Sequence, residues 1–226
     1  MMVQLISDPA YATGRRSFPR TVTVTDAADI ADGLHHEVEA GTAARAKAMA
    51  LQDIRLACHR GCAGCCEELV LVYRPESLTV ARYLGSPAGA AARAAFVAGY
   101  PRWRDAVGDA PRRLADLLAA ADRRYEEEHR VQWRRRVPCA FLACAQCTVY
   151  PVRPINCRTA NAIDVSERCF GDFPGGQPAS RVVYPMLDRY IARTTPLLRA
   201  AHNAVGGPRG RAEALCTAVA LLLGIG

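Results

Sequence analysis

The feature that most constrains this chain is Cys58-His-Arg-Gly-Cys62-Ala-Gly-Cys65-Cys66, answered far downstream by Cys139-Ala-Phe-Leu-Ala-Cys144-Ala-Gln-Cys147, Cys157 and Cys169. Nine of the ten cysteines fall in these two blocks, and Cys216 stands apart. A chain of 226 residues can bury a core without covalent staples. The thiols are therefore not the framework of a small disulfide-rich secreted domain. The N-terminus lacks a basic start followed by an apolar run and a small-residue cleavage site, which gives the expectation of a cytoplasmic protein with reduced thiols. Ten cysteines in that setting point to metal.

Thiolates two or three residues apart can turn toward one ion, and Gly61 and Gly64 permit the tight backbone this needs. The adjacent pair Cys65-Cys66 says more. Neighbouring side chains diverge in extended chain, so two vicinal thiolates rarely close the same tetrahedron. Either they ligate different atoms or one of them is a bystander. A four-cysteine zinc ribbon would be written as two short cysteine pairs, which this sequence does not show. Soft thiolates suit zinc, copper(I) and iron–sulfur clusters. An all-thiolate set with few histidines favours iron–sulfur ligation, with zinc as the alternative.

The rest of the chain reads as mainly α-helical. Residues 1–24 form an N-terminal arm, and 25–226 a single metal-binding helical domain with cysteine blocks at 58–66 and 139–169. Thr25 or Asp26 can cap a helix carrying Ile30, Leu34 and Val38 on one face, with Gly41 as a break. A second alanine-rich run with Met49, Leu51, Ile54 and Leu56 ends at Cys58. Leu69–Tyr73 is apolar enough to be extended. Pro75 suits the first turn of a helix reaching about Leu84, and Ala88–Ala98 suits another. The longest helix is expected from Pro111 to about Arg136, with Leu114, Leu118, Ala121, Tyr125, His129 and Trp133 on one face. Prolines, glycines and cysteines dominate from Cys139 to Pro178, an irregular segment that metal would organise. Two helices, about Tyr184–Val205 and Arg209–Leu223, close the chain.

The combined motif resembles a bacterial cysteine-cluster family of the CxxCxxCC type, associated with zinc or iron chelation. Its residues here are Cys58-x3-Cys62-x2-Cys65-Cys66, then Cys139-Ala-Phe-Leu, then Cys147-Thr-Val-Tyr150-Pro-Val-Arg153-Pro154-Ile-Asn-Cys157-Arg158. The blocks span roughly residues 50–175. Ala140 stands where that family usually carries proline, and Cys144 is an additional thiol. The resemblance implies Cys58, Cys62, Cys65, Cys66, Cys139, Cys147, Cys157 and Cys169 as metal ligands. One branch of the family resembles the flagellin lysine methylase, which implies S-adenosylmethionine-linked chemistry on amines in some members. This chain shows no glycine-rich methyltransferase fingerprint after a strand.

Other residues divide between local and functional roles. Arg153 and Arg158 flank Cys157. They either tie the loop together through carboxylates and carbonyls or offset the charge of a thiolate-rich cluster, with a clamp on a substrate anion as a further role. Tyr150 packs over the site, where its phenol could also donate a proton. His59 lies inside the first block, where sulfur is already plentiful. His129 reads as a core histidine and His35-His36 as surface. Cys216 reads as a buried apolar thiol. Arg134-Arg135-Arg136 favours the negative end of a helix dipole, and Glu126-Glu127-Glu128 pairs with Arg130 on a solvated face.

Apolar residues make up 50% and charged residues 23%, a globular mix. The net charge of +7 is carried almost wholly by arginine, since Lys47 is the only lysine. With so much alanine this reflects base composition, and no nucleic-acid partner is expected. No run reaches the roughly 18–20 apolar residues that span a bilayer, so no membrane partner is expected either. Three functional classes remain open. One is a cytoplasmic tailoring enzyme on a small amine or amino-acid-like substrate. The others are a metal or electron carrier, and a structural zinc domain that binds another protein.

Overall fold

A computed structural model describes residues 22–59, 61–162 and 185–225, without the side chains of 185–191. Among the described residues the fold is mainly helical, with two small two-stranded pairings. Helix α1 is Val24–Ala50. Its cap is Thr23, whose hydroxyl accepts from the Asp26 amide at 3.1 Å while the Asp26 carboxylate accepts from the Thr23 amide at 3.0 Å. The cap thus lies ahead of Thr25 and Asp26, because this reciprocal box satisfies two orphan amides at once. Gly41 does not break the helix. A helical glycine costs only about 1 kcal/mol, and the alanines around it are strong helix formers.

Helix α1 stops at Ala50 instead of continuing to Cys58. Asp53 takes a left-handed conformation with φ 56°, and the Met49 carbonyl accepts from the Gln52 and Ile54 amides. Leu51 is left 89% exposed. The chain from there to the first cysteine block is irregular.

Strand β1 is Leu71–Val72 and leads into helix α2, Arg74–Leu84. Helix α3, Ala90–Val107, runs straight through Pro101. The missing amide would have served the carbonyl of Val97, a residue 43% exposed, so water can replace it. The expected long helix is two helices, α4 (Ala110–Ala119) and α5 (Arg124–Arg134). Ala121 has φ 50°, the Asp122 amide returns to the Leu117 carbonyl at 2.9 Å, and the Asp122 carboxylate accepts from the Arg124 amide at 2.8 Å. This folds α5 back on α4, where Arg113 pairs with Glu128 at 2.7 Å. Helix α1 is therefore the longest among the described residues.

Strands β2 (Leu142–Ala143) and β3 (Gln146–Cys147) form a hairpin, followed by a 3-10 turn at Tyr150–Val152 and the short helix α6, Ile155–Thr159. Helix α7 is Pro185–Ala204, strand β4 Glu213–Ala214 and helix α8 Leu215–Leu222. The last helix begins later than Arg209 because β4 pairs antiparallel with β1, Leu71 opposite Ala214.

Two apolar clusters hold these elements. One joins β1, α2, α3, α4 and α8 around Phe96, Leu114, Phe141 and Val219. The other packs α1 against α2, α6 and α7 through Leu34, Val38, Ile155 and Leu198. Ala27 and Ala31 on α1 are fully buried, and the Thr79 hydroxyl of α2 donates to the Ala28 carbonyl at 3.0 Å. His35 departs from its expected surface position. It is 2% exposed, with Nε2 3.7 Å from Glu76 Oε1, because it falls on the α1 face that meets α2. Among the described residues no helix is long and apolar enough to cross a membrane.

Candidate metal centre

The first block is shaped by its glycines. Gly61 has φ +97°, which an L side chain rarely adopts. Gly64 is buried and opens a 3-10 turn, Gly64–Glu67, that carries Cys65 and Cys66. The Cys66 carbonyl accepts from the Cys139 amide at 2.7 Å, which joins the two blocks backbone to backbone. Phe141, 1% exposed, stacks on Phe96 of α3 with ring centroids 4.3 Å apart and so anchors the second block in the core. Glu76 accepts from the Ile155 amide at 2.9 Å and fixes the start of α6, which carries Cys157.

These constraints place Cys58, Cys62, Cys65, Cys66, Cys139, Cys147 and Cys157 around one cavity of about 90 Å³. His59, Glu68, Tyr150 and Arg153 also line it, on a floor that includes Val70, Phe141, Val149 and Leu215. The nine described cysteines are free thiols. The eighth residue implied by the family resemblance, Cys169, lies outside the described residues. Among the described residues no group of three or more His, Cys, Asp or Glu side chains is arranged so that it could hold a metal ion as it stands. Seven cysteines nonetheless line this one small volume, and thiolate is a donor that soft metals favour.

The protonation of these thiols follows from their setting. A hydrogen bond with Cys65, then burial, pushes the Cys66 thiol up. Cys139 is raised well above the ordinary thiol range by its contact with Cys216 and by burial. Burial also raises Cys157, and pushes Cys147 up to about 11 against the opposing pull of the Val149 amide and Arg153. Without a cation these four remain neutral thiols at pH 7. Cys58 is placed by two backbone contacts, its sulfur accepting from the Ala162 amide at 3.0 Å and lying 3.6 Å from the Ala160 carbonyl.

Arg153 and Arg158 divide the roles open to them. Arg158 is 8% exposed and is not part of the cavity wall. It donates to the Arg153 carbonyl at 2.7 Å, the Pro151 carbonyl at 2.7 Å and Glu39 Oε2 at 2.6 Å. It ties the second block to itself and to α1. Arg153 lines the cavity, lies 4.1 Å over the Tyr150 ring and 3.6 Å from Glu39. Its charge faces Cys147 and Cys157.

Cys144 sits in the β2–β3 turn with Ala145, φ 49° and 57°, a left-handed two-residue turn that leaves the thiol exposed and away from the cavity. His129 Nε2 lies 3.0 Å from Glu68 Oε1, and burial holds its imidazole below the ordinary histidine range. It is half-buried at the edge of the core, and its carboxylate partner reaches the cavity. Glu68 follows the first block directly, yet nothing in its spacing marks it. Cys216 is buried as expected, but it does not stand apart: its sulfur is 3.6 Å from that of Cys139. Arg136, at the end of the basic run, pairs with Glu67 beside the vicinal cysteines at 3.1 Å.

No protein-family model, curated protein or solved structure matches this chain. The family resemblance therefore rests on the motif residues alone.

Proposed function

We propose that this chain is a cysteine-ligated metalloprotein with a multinuclear centre, iron–sulfur in preference to zinc, built in the cavity between the two cysteine blocks. The observation that carries the reading is the meeting of seven thiols from separate chain segments on one volume of about 90 Å³. Organic ligands usually occupy about 300–1,000 Å³. The volume thus suits a few inorganic atoms better than a substrate. Seven thiols exceed the four that one closed zinc site needs. A metal centre there would tie segments from both cysteine blocks together. Metal uptake should accordingly tighten the fold.

Glu68 and Arg153, both on the cavity wall, support a tailoring enzyme acting on a small amine or amino-acid-like substrate over a purely structural domain. A carboxylate and a guanidinium beside the same centre offer partners for an ammonium and a carboxylate. In this reading the metal centre would supply Lewis-acid or redox chemistry, while Glu68, positioned by His129, and Arg153 would orient a substrate outside the small volume that the metal fills.

Differential alkylation tests the proposal. In anaerobically purified protein, the seven cavity cysteines should resist iodoacetamide until a chelator is added, while Cys144 reacts from the start. Equal alkylation of the cavity cysteines with and without chelator would refute the metal centre.

A further inference from the structure

The cysteine cavity is small for an organic ligand, but the fold holds a second cavity that is not. It measures about 320 Å³, within the range of about 300–1,000 Å³ that such ligands occupy. It opens at the corner between α3 and α4, and residues of β4 and of the first turn of α8 complete its wall. Gly108 makes the corner with φ +56°, a conformation that favours glycine. The site is thus framed by helix and strand residues, which hold a ligand more firmly than a loop would.

The wall has two chemical parts. Tyr100, Trp103 and Val107 carry the buried apolar stripe of α3 to the cavity, with the Tyr100 and Trp103 rings stacked and their centroids 5.8 Å apart. The Tyr100 phenol hydrogen-bonds with Thr217 of α8, which fixes the aromatic part. The charged part is Arg104, Arg112, Arg211, Asp109 and Glu213. Both carboxylates are already matched by guanidiniums from outside the wall. Glu213 accepts from Arg74 at 3.2 Å, and Asp109 pairs with Arg113. The wall's own guanidiniums are held less firmly. Arg104 lies 3.4 Å from Asp105, and Arg112 lies 3.7 Å from both Asp109 and Asp116. Arg211 pairs with Asp116 at 2.9 Å, so two guanidiniums share that exposed carboxylate. Exposed pairs of this kind are weak, and an incoming anion can replace them.

We propose that this cavity binds a small organic anion, a flat apolar ring that carries a carboxylate or phosphate. The ring packs against Tyr100 and Trp103, and Arg112 and Arg211 hold the anion. Aromatic walls favour flat rings, and the guanidinium fork matches the paired oxygens of carboxylate and phosphate. The inference goes beyond the metal-centre reading and stands or falls independently of it.

The test titrates the full chain, carrying isotope-labelled tryptophan, with benzoate, phenyl phosphate or the neutral benzyl alcohol. The indole N–H signal of Trp103 is the reporter. That of Trp133, buried on α5 and outside the cavity wall, is the reference, and Trp133→Phe assigns the two. At least one anion should shift the Trp103 signal saturably, with a Kd of about 1 mM or tighter, and leave the Trp133 signal in place. The tighter of the two anions identifies the headgroup. Benzyl alcohol should bind about tenfold more weakly or worse, and the double variant Arg112→Gln with Arg211→Gln should weaken the anion by at least about tenfold. No saturable shift of Trp103 with either anion up to about 10 mM would overturn the proposal. Benzyl alcohol binding as tightly as the anions, or parent-like affinity in the double variant, would also overturn it.

Discussion

Replacing Arg158 by methionine separates a structural tie from an electrostatic partner of the metal. The guanidinium makes three bonds, to the Arg153 carbonyl, the Pro151 carbonyl and the Glu39 carboxylate. A well-buried hydrogen bond to a charged group contributes about 1.5–3 kcal/mol. The three are not equal. Glu39 is 51% exposed, so its ion pair is worth well under about 1 kcal/mol. Pro151 is exposed, and its carbonyl can regain water. The Arg153 carbonyl is the more costly one to abandon, and methionine keeps most of the apolar stem packed. The expected destabilisation of Arg158→Met is therefore about 2 kcal/mol. Urea denaturation of metal-stripped protein, followed by far-ultraviolet circular dichroism, measures it. Glu39→Gln should cost less than about 1 kcal/mol. Arg158→Lys should not rescue, because one ammonium cannot span two carbonyls and a carboxylate as the planar fork does. If Arg158→Met left the metal-free protein unchanged and weakened only metal binding, the tie would be wrong and charge compensation right.

Cys144→Ser should leave both metal content and stability unaltered, since its thiol lies exposed on the hairpin turn; loss of metal in elemental analysis would contradict this. Ala121→Gly should raise stability by about 1 kcal/mol in thermal or urea unfolding, because Ala121 holds φ 50° between α4 and α5. A loss of stability would show that the Ala121 methyl matters more than its backbone. The His129 imidazole is held below its ordinary value by burial, with Glu68 and Glu126 as the carboxylates facing it. The unfolded chain therefore binds the extra proton first, and this contribution is complete above about pH 6.5 and declines as the pH falls below it. Urea midpoints at pH 7.5 and 5.5 should differ less in His129→Gln than in the parent, and an unchanged difference would remove His129 from the acid response. Metal addition at pH 7 should release protons, because Cys147, Cys139 and Cys157 are raised toward the neutral thiol. Calorimetry in buffers of different ionisation enthalpy reads the count, and no release would contradict thiol ligation.

The turns of the first block were legible because glycine spacing is local chemistry, which survives whatever surrounds it. Gly61 with its positive φ and the turn opened by Gly64 follow from those residues. Features that depend on packing between distant segments were not legible. Cys216 has no motif around it, and only the β1–β4 pairing brings it beside Cys139. His35 and His36 are adjacent in sequence, yet His35 is buried while His36 is exposed, since the angle at which α1 meets α2 decides between them. The apolar face expected from Leu114 to Trp133 was continuous on paper. The chain turns at Ala121, where a left-handed φ of 50° and the return of the Asp122 amide to the Leu117 carbonyl end α4.

A multinuclear metal site in the cysteine cavity would be visible in the protein's metal content and in the metal's coordination. Elemental analysis of protein purified without air from metal-replete cells, combined with X-ray absorption at the metal edge, addresses it most directly. More than one metal atom per chain is expected, in sulfur-dominated coordination and with a metal–metal scattering component. Protein free of metal would contradict the claim outright. One metal atom per chain, with both Cys65 and Cys66 bound to it, would replace the multinuclear centre with a structural zinc site.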